Sequence, residues 1–220
     1  LDYYARSLAL EEEIGDKSGM GNSLNNIGLV HTEKRDYNKA LDYYERSLAI
    51  REKIGDKRGQ RRSLLSIGLV HNYKGDYDKA LGIYIPLLKQ AEDLGDTHGM
   101  GFTLQYIGLA HSNKGDYEKA LDYYDRTLAI KEKIGDKNGM GFALHNIGQV
   151  HHRKGDYDQA LDYFSRSLSI KEDLGDKYGI GFILNDIGLA HYNKGDYEKA
   201  LDYYGRSLAI LENLGDKIGV

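Results

Sequence analysis

Five histidines recur at one fixed step in this chain: His31, His71, His111, His151 and His191. Repeated imidazoles can bind a metal or carry protons if several converge on one centre. The 40-residue step puts each on a different helix, and packed helices lie about 8–10 Å apart. Zinc needs its ligands at about 2.0–2.1 Å around a single ion. The column therefore predicts packed, hydrogen-bonded histidines. His145, Gln149 and His152 share one outward helical face, but the outer two are two turns apart, a spacing suited to a ligand contact rather than a metal. Carboxylates also repeat: Asp116 and Asp136 read as helix caps and Glu132 as part of a charged surface. An active site is a unique constellation, and a pattern copied five times is not one. Gly139 and Gly141 in GDKNGMG lack the Lys-Ser/Thr and the preceding strand of a phosphate loop. With no cysteine, thiolate metal sites, disulfides and a cysteine nucleophile are excluded. No catalysis, metal or cofactor is expected.

The elements that carry these residues follow from internal repetition. A shift of 40 residues superposes the chain on itself; residues 115–154 match residues 155–194 at 23 of 40 positions. Within each copy a Gly-Asp pair recurs every 20 residues, from Gly15-Asp16 onward, with Arg35-Asp36 the departure. Glycine ends a helix in the left-handed conformation, and aspartate accepts bonds from the free N–H groups that open the next. About 17 or 18 helical residues, roughly 26 Å, separate these marks. The first helix of a copy carries Leu104, Ile107, Gly108 and His111 on one stripe. The second carries Tyr117, Ala120, Leu121, Tyr124 and Leu128. Gly108 and Ala120 are small enough for close approach. The expected fold is all-α, an α-solenoid of stacked antiparallel helix pairs wound as a right-handed superhelix. The expected organisation is a single array over residues 1–220 of about five and a half units, with half-units at 1–15 and 216–220.

Leu104, Ile107-Gly108, His111, Gly115, Tyr117, Ala120, Tyr124 and Thr127 fall on the signature steps of the tetratricopeptide repeats, and the other copies do likewise. The chain resembles that family throughout, with His for the usual Tyr, Thr or Ser for the last Ala, and no closing Pro. The 40-residue form with GDKxG before the first helix is similar to the repeats of Pins/LGN spindle-orientation adaptors; bacterial regulators also carry such units. The resemblance implies a scaffold that holds a peptide or partner segment in a concave groove. Pins/LGN repeats usually show Arg where Phe102, Phe142 and Phe182 stand, and Asn in the Leu29 column. The chaperone-tail clamp is missing, because no Lys occupies the groove columns. A more apolar peptide than theirs is expected here.

A helix wheel at 100° per residue places the groove without the family. Opposite the core stripe lie Asn22, Asn26, Leu29 and Glu33, then Arg62, Ser66, Leu69 and Tyr73. Phe102, Tyr106, Leu109 and Asn113 follow, then Phe142, Asn146, Gln149 and Arg153, and finally Phe182, Asp186, Leu189 and Asn193. The neighbouring column varies freely between copies: Asn25, Leu65, Gln105, His145 and Asn185. A surface that stacks must repeat, whereas one reading an irregular ligand must not. Two readings stand for the Phe and Leu columns: apolar anchors for a ligand, or packing against the next first helix. The amides would pair with the backbone of an extended ligand.

The second copy departs from the others at Gly82, Ile83, Tyr84, Ile85, Pro86, Leu87 and Leu88. Proline should kink that helix, marking either a contact site or a tolerated degenerate repeat. The chain begins with Leu1, starting in a second helix and stopping inside a first. It is expected to be a segment of a longer protein, with apolar ends able to self-associate end to end. Thirty basic against 34 acidic residues leave a net charge near −4 and no basic block to grip nucleic acid. No apolar run reaches the roughly 20 residues that cross a bilayer. The expectation is a cytoplasmic, non-enzymatic module with a protein or peptide partner. The alternative is a structural spacer or self-assembling rod in a larger regulatory protein.

Overall fold

Gly-Asp punctuation dictates the backbone. The computed structural model describes residues 2–215; the half-unit expected at 216–220 lies outside them. At Gly55 the chain turns left-handed (φ 71°). The Gly55 N–H bonds the Glu52 carbonyl at 3.2 Å, and the Asp56 N–H bonds that of Arg51 at 2.9 Å. This pair of bonds satisfies helix-end carbonyls that would otherwise be orphaned, and it recurs at the other turns. Arg35 alone among non-glycine residues described adopts such a conformation, at φ 61°. A Cβ there is strained, so Arg35→Gly should raise the thermal midpoint, by no more than about 1 kcal/mol in stability.

The punctuation yields two compact units, Leu1–Gly99 and Met100–Val220. The first holds α1 (Asp2–Ile14), α2 (Lys17–Glu33), α3 (Tyr37–Lys53), α4 (Lys57–Tyr73) and α5 (Tyr77–Asp93). The boundary falls near the start of α6 (Thr97–Lys114). The second continues with α7 (Tyr117–Lys133), α8 (Lys137–Lys154), α9 (Tyr157–Asp173), α10 (Lys177–Lys194) and α11 (Tyr197–Asn213). No strand occurs among the described residues. Within the first unit each helix packs on its chain neighbour, and α2 also touches α4. Within the second, α7 to α11 pack in succession and α8 touches α10. These are the expected helix pairs: odd-numbered helices are second members and even-numbered ones first members.

Cores form where a second helix meets the following first helix. Ala40 and Tyr44 pack with Ile67 and Val70 in the first unit. Ala120 and Tyr124 pack with Ile147 and Val150 in the second, and Ala160 and Phe164 with Ile183, Ile187 and Ala190. The signature glycine makes room for the aromatic ring: a Cβ at Gly108 would stand 2.7 Å from Tyr124. Burial pushes the phenol pKa of Tyr124 upward. α5 runs unbroken through Pro86. Pro86 is exposed, beside an exposed Ile85, while Leu87 and Leu88 are buried.

Candidate interaction surface

The aspartates of the punctuation divide into two working classes. Those opening the first helices cap them: Gly19, Gly59, Gly139 and Gly179 each donate a backbone N–H at 2.8–2.9 Å to Asp16, Asp56, Asp136 and Asp176. Asp96 receives the same bond from Gly99 at 2.8 Å. Those opening the second helices make no side-chain cap bond. Asp136 thus caps with its side chain as expected, whereas Asp116 stands at the N-cap position of α7 without a side-chain cap bond. Its carboxylate instead faces His111 Nδ1 at 3.1 Å, and Asp36 and Asp196 face His31 and His191 at 3.4 and 3.2 Å. The reason is local: the preceding helix brings its histidine onto the carboxylate, which then turns away from the new helix.

The histidine column is therefore structural. His31, His111, His151 and His191 also stack on Tyr43, Tyr123, Tyr163 and Tyr203, with ring centres 5.4–5.5 Å apart. An arginine covers each of these tyrosines, for example Arg46 over Tyr43 at 5.2 Å. Arg46 also pairs with Asp42 at 3.6 Å, and in α5 the positions matching Asp42, Tyr43 and Arg46 are Gly82, Ile83 and Pro86, so that aspartate–tyrosine–arginine set is lost together. Aligning the copies column by column would have revealed that Pro86 replaces an arginine. Among the described residues no three His, Cys, Asp or Glu side chains converge for a metal.

Behind the caps stands a row of buried cations that sequence reasoning missed. Arg51 donates to Asp56 at 2.7 Å, and Lys131 and Lys171 donate to Asp136 and Asp176 at 2.8 Å. In the second copy Ala91 holds that position and Arg61, from the first helix, reaches Asp96 instead. The charge crosses from one helix to its partner while the ion pair is kept. The Gly59 N–H and then Arg51 hold the Asp56 carboxyl below the usual carboxylate range. Gly99 and Arg61 do this for Asp96, and Lys171 and Gly179 for Asp176. A depressed folded-state pKa stabilises the fold above the ordinary value near 3.9 and is lost as pH falls through the folded value. The urea midpoint should therefore drop below about pH 4, and Asp56→Asn with Asp176→Asn should flatten that dependence.

The same lysines reach the outward aromatic column. Lys131 Nζ lies 4.3 Å from the centre of the Phe102 ring, and Lys171 Nζ lies 3.9 Å from that of Phe142. Phe102, Phe142 and Phe182 remain 50 %, 46 % and 55 % exposed on α6, α8 and α10. They are not sealed between neighbouring first helices. In the Leu column, Leu29 and Leu189 are exposed and Leu69 and Leu109 half-buried. In the first unit Asn22 and Arg62 are exposed, and Asn22 Oδ1 accepts from Arg51 at 2.8 Å. Asn26, Ser66, Tyr106, Asn146 and Asp186 are half-buried.

The freely varying column behaves differently. Asn25 and Leu65, expected on the groove, are buried at 7 % and 9 % exposure. Gln105 and His145 are half-buried, and Asn185 is exposed. His145 Nε2 meets Asp186 Oδ2 at 2.6 Å, and Gln149 donates to the same oxygen at 3.2 Å. His152 meets Asn193 at 2.9 Å, and Arg153 donates to Asn113 at 3.1 Å. This polar seam joins first helices within the second unit.

With this geometry in hand, comparison is informative. The family model described as tetratricopeptide repeat matches residues 1–53, 60–133 and 139–213. No curated protein matches by sequence. Among solved structures, BtubC (BKLC) from P. vanneervenii is 16 % identical with a TM-score of 0.78, covering 100 % of this chain and 92 % of its own. A Rap protein complexed with competence and sporulation factor is 16 % identical with a TM-score of 0.79, over 91 % of this chain and 55 % of that one. The Rap conjugation gene regulator of plasmid pLS20, in complex with the Phr* peptide, is 17 % identical with a TM-score of 0.78. It is matched over 94 % of this chain and 57 % of its own, so this chain spans little more than half of either Rap protein.

Proposed function

Because the chain belongs to the tetratricopeptide repeat family, we propose that it is a non-enzymatic interaction scaffold whose first-helix faces hold a peptide or partner segment. The observation that carries this reading is the register of Phe102, Phe142 and Phe182, each about half exposed at the same position of successive first helices. Leaving half of each ring in water forgoes roughly 1 kcal/mol of burial apiece, about half the value for a whole side chain, whereas a docked ligand recovers it. Leu109, Leu189 and the half-buried Tyr106, Asn146 and Gln149 complete that face in the second unit. Asn22, Asn26, Leu29, Arg62, Ser66 and Leu69 form the corresponding face of the first. The Rap structure in complex with the Phr* peptide lends support at the level of shared fold. No described helix is long and apolar enough to cross a membrane.

The lysine seated against each of Phe102 and Phe142 already has a carboxylate partner, so the aromatic column offers apolar anchoring rather than free charge. Peptides selected from a random display library on the immobilised chain should accordingly be enriched in apolar residues. The combined Phe102→Ala, Phe142→Ala and Phe182→Ala variant should bind the selected peptides at least about 10-fold more weakly. Its circular dichroism and melting should stay close to those of the parent. Equal binding by parent and variant would transfer the protein to the alternative reading, a spacer within a larger assembly.

A further inference from the structure

One corner of the first unit departs from every other copy, and it departs in charge. At the turn between α2 and α3, Arg35, Asp36, Tyr37, Asn38 and Lys39 line an open recess of about 510 Å3, together with Lys74 from the end of α4. Later copies place a glycine at the first of these positions and an acid at the fourth, in Gly115/Glu118 and Gly155/Asp158. There the acid takes the lysine of the next first helix: Lys154 donates to Glu118 at 2.6 Å, and Lys194 pairs with Asp158. Here Asn38 stands in place of the acid, and Lys74 donates only to its amide oxygen, at 3.3 Å.

The electrostatic consequence is specific. The formal charge over residues 35–39 with Lys74 is +2, against zero for 115–119 with Lys154 and −1 for 155–159 with Lys194. Asp36, the one carboxylate of the recess, is turned to His31 at 3.4 Å and makes no side-chain cap bond to α3. The first turn of α3 contains no acid, whereas those of α5, α7, α9 and α11 each contain one. The positive end of α3 and its unbonded N–H groups are thus left without the usual counter-charge. Tyr37 forms one wall, its ring 6.3 Å from that of Tyr73.

We propose that this recess binds a phosphate dianion, with Arg35, Lys39, Lys74 and the opening N–H groups of α3 as donors. A charge of +2 matches a doubly charged phosphate and exceeds what one carboxylate neutralises. A guanidinium with two ammonium groups supplies donors to its oxygens. Arg35 sits in the recess at the cost of a left-handed backbone that glycine holds freely elsewhere. The site lies apart from the aromatic columns and does not depend on the peptide reading.

The test titrates the full chain, at low salt and pH 7.5, with inorganic phosphate, with O-phosphoserine blocked at both termini, and with acetate, following amide shifts by NMR. Both phosphates should give saturable shifts centred on residues 35–39 and 74, and acetate should bind at least about 10-fold more weakly. The variant Arg35→Gly with Asn38→Asp restores residues that other copies carry, so it should fold. It should lose at least about 10-fold in phosphate affinity. A tighter phosphoserine arm assigns the site to a phosphorylated partner, and equal arms assign it to a small phosphate; both uphold a dianion site. Shifts scattered over basic residues generally, acetate as strong as phosphate, or a variant binding like the parent would each overturn the proposal.

Discussion

Replacing Phe164 with alanine should lower the unfolding free energy by about 3–5 kcal/mol. The ring is 1 % exposed and packs with Ala160, Ile183, Ile187 and Ala190 between α9 and α10. Its other face lies over Gly148 of α8, so the cavity opens where three helices meet. Helices pinned on several sides relax little into a void, which places the loss toward the upper part of that range. Repeat arrays carry their stability in local and nearest-neighbour terms. Hydrogen exchange should therefore quicken most in α8, α9 and α10, and least in the first unit. Phe164→Leu, which keeps most of the volume, should cost less than half as much. A uniform loss of protection across the chain would refute the local assignment.

The second large effect comes from the opposite change at the same contact. A Cβ built on Gly148 stands 2.7 Å from two Phe164 ring carbons and 3.3 Å from the Ala160 carbonyl oxygen. Gly148→Leu gains about 0.8–1 kcal/mol in helix propensity but must force the ring or the helix aside. Overpacking of this kind costs about 1–3 kcal/mol or more, and the backbone carbonyl cannot yield as a side chain can. The expected net loss is about 2 kcal/mol, read from the urea midpoint. The two changes should be coupled: with Phe164→Ala present, the leucine enters the vacated space. The double variant should then be more stable than additivity predicts by at least about 1 kcal/mol. Additive losses would mean that the glycine is kept for a reason other than the ring.

The periodic part of this molecule was legible because its causes are local. Gly-Asp pairs at a 20-residue step fix where helices stop and start, and the stripes Leu104–His111 and Tyr117–Leu128 fix which faces pack. The outward position of Phe102, Phe142 and Phe182 followed from the helix wheel, and their exposure agrees with it. Asn25 and Leu65 were misplaced because a wheel describes one helix, whereas their burial is set by what packs against that helix. Arg51, Lys131 and Lys171 were passed over because they read as surface charge on a second helix. Only packing shows their stems running beneath the neighbouring first helix to reach the cap aspartate.

The sequence by itself determined the repeat length, the helix pairs and the absence of any thiolate chemistry, since each depends on residue type and spacing along the chain. The tertiary structure alone decided which aspartates cap and which hold a histidine, and which outward first-helix positions stay exposed. It also gathered Arg35, Lys39 and Lys74 into one recess from separate turns. Those outcomes depend on distances between side chains, and such distances exist only once the turns have formed and the helices have packed.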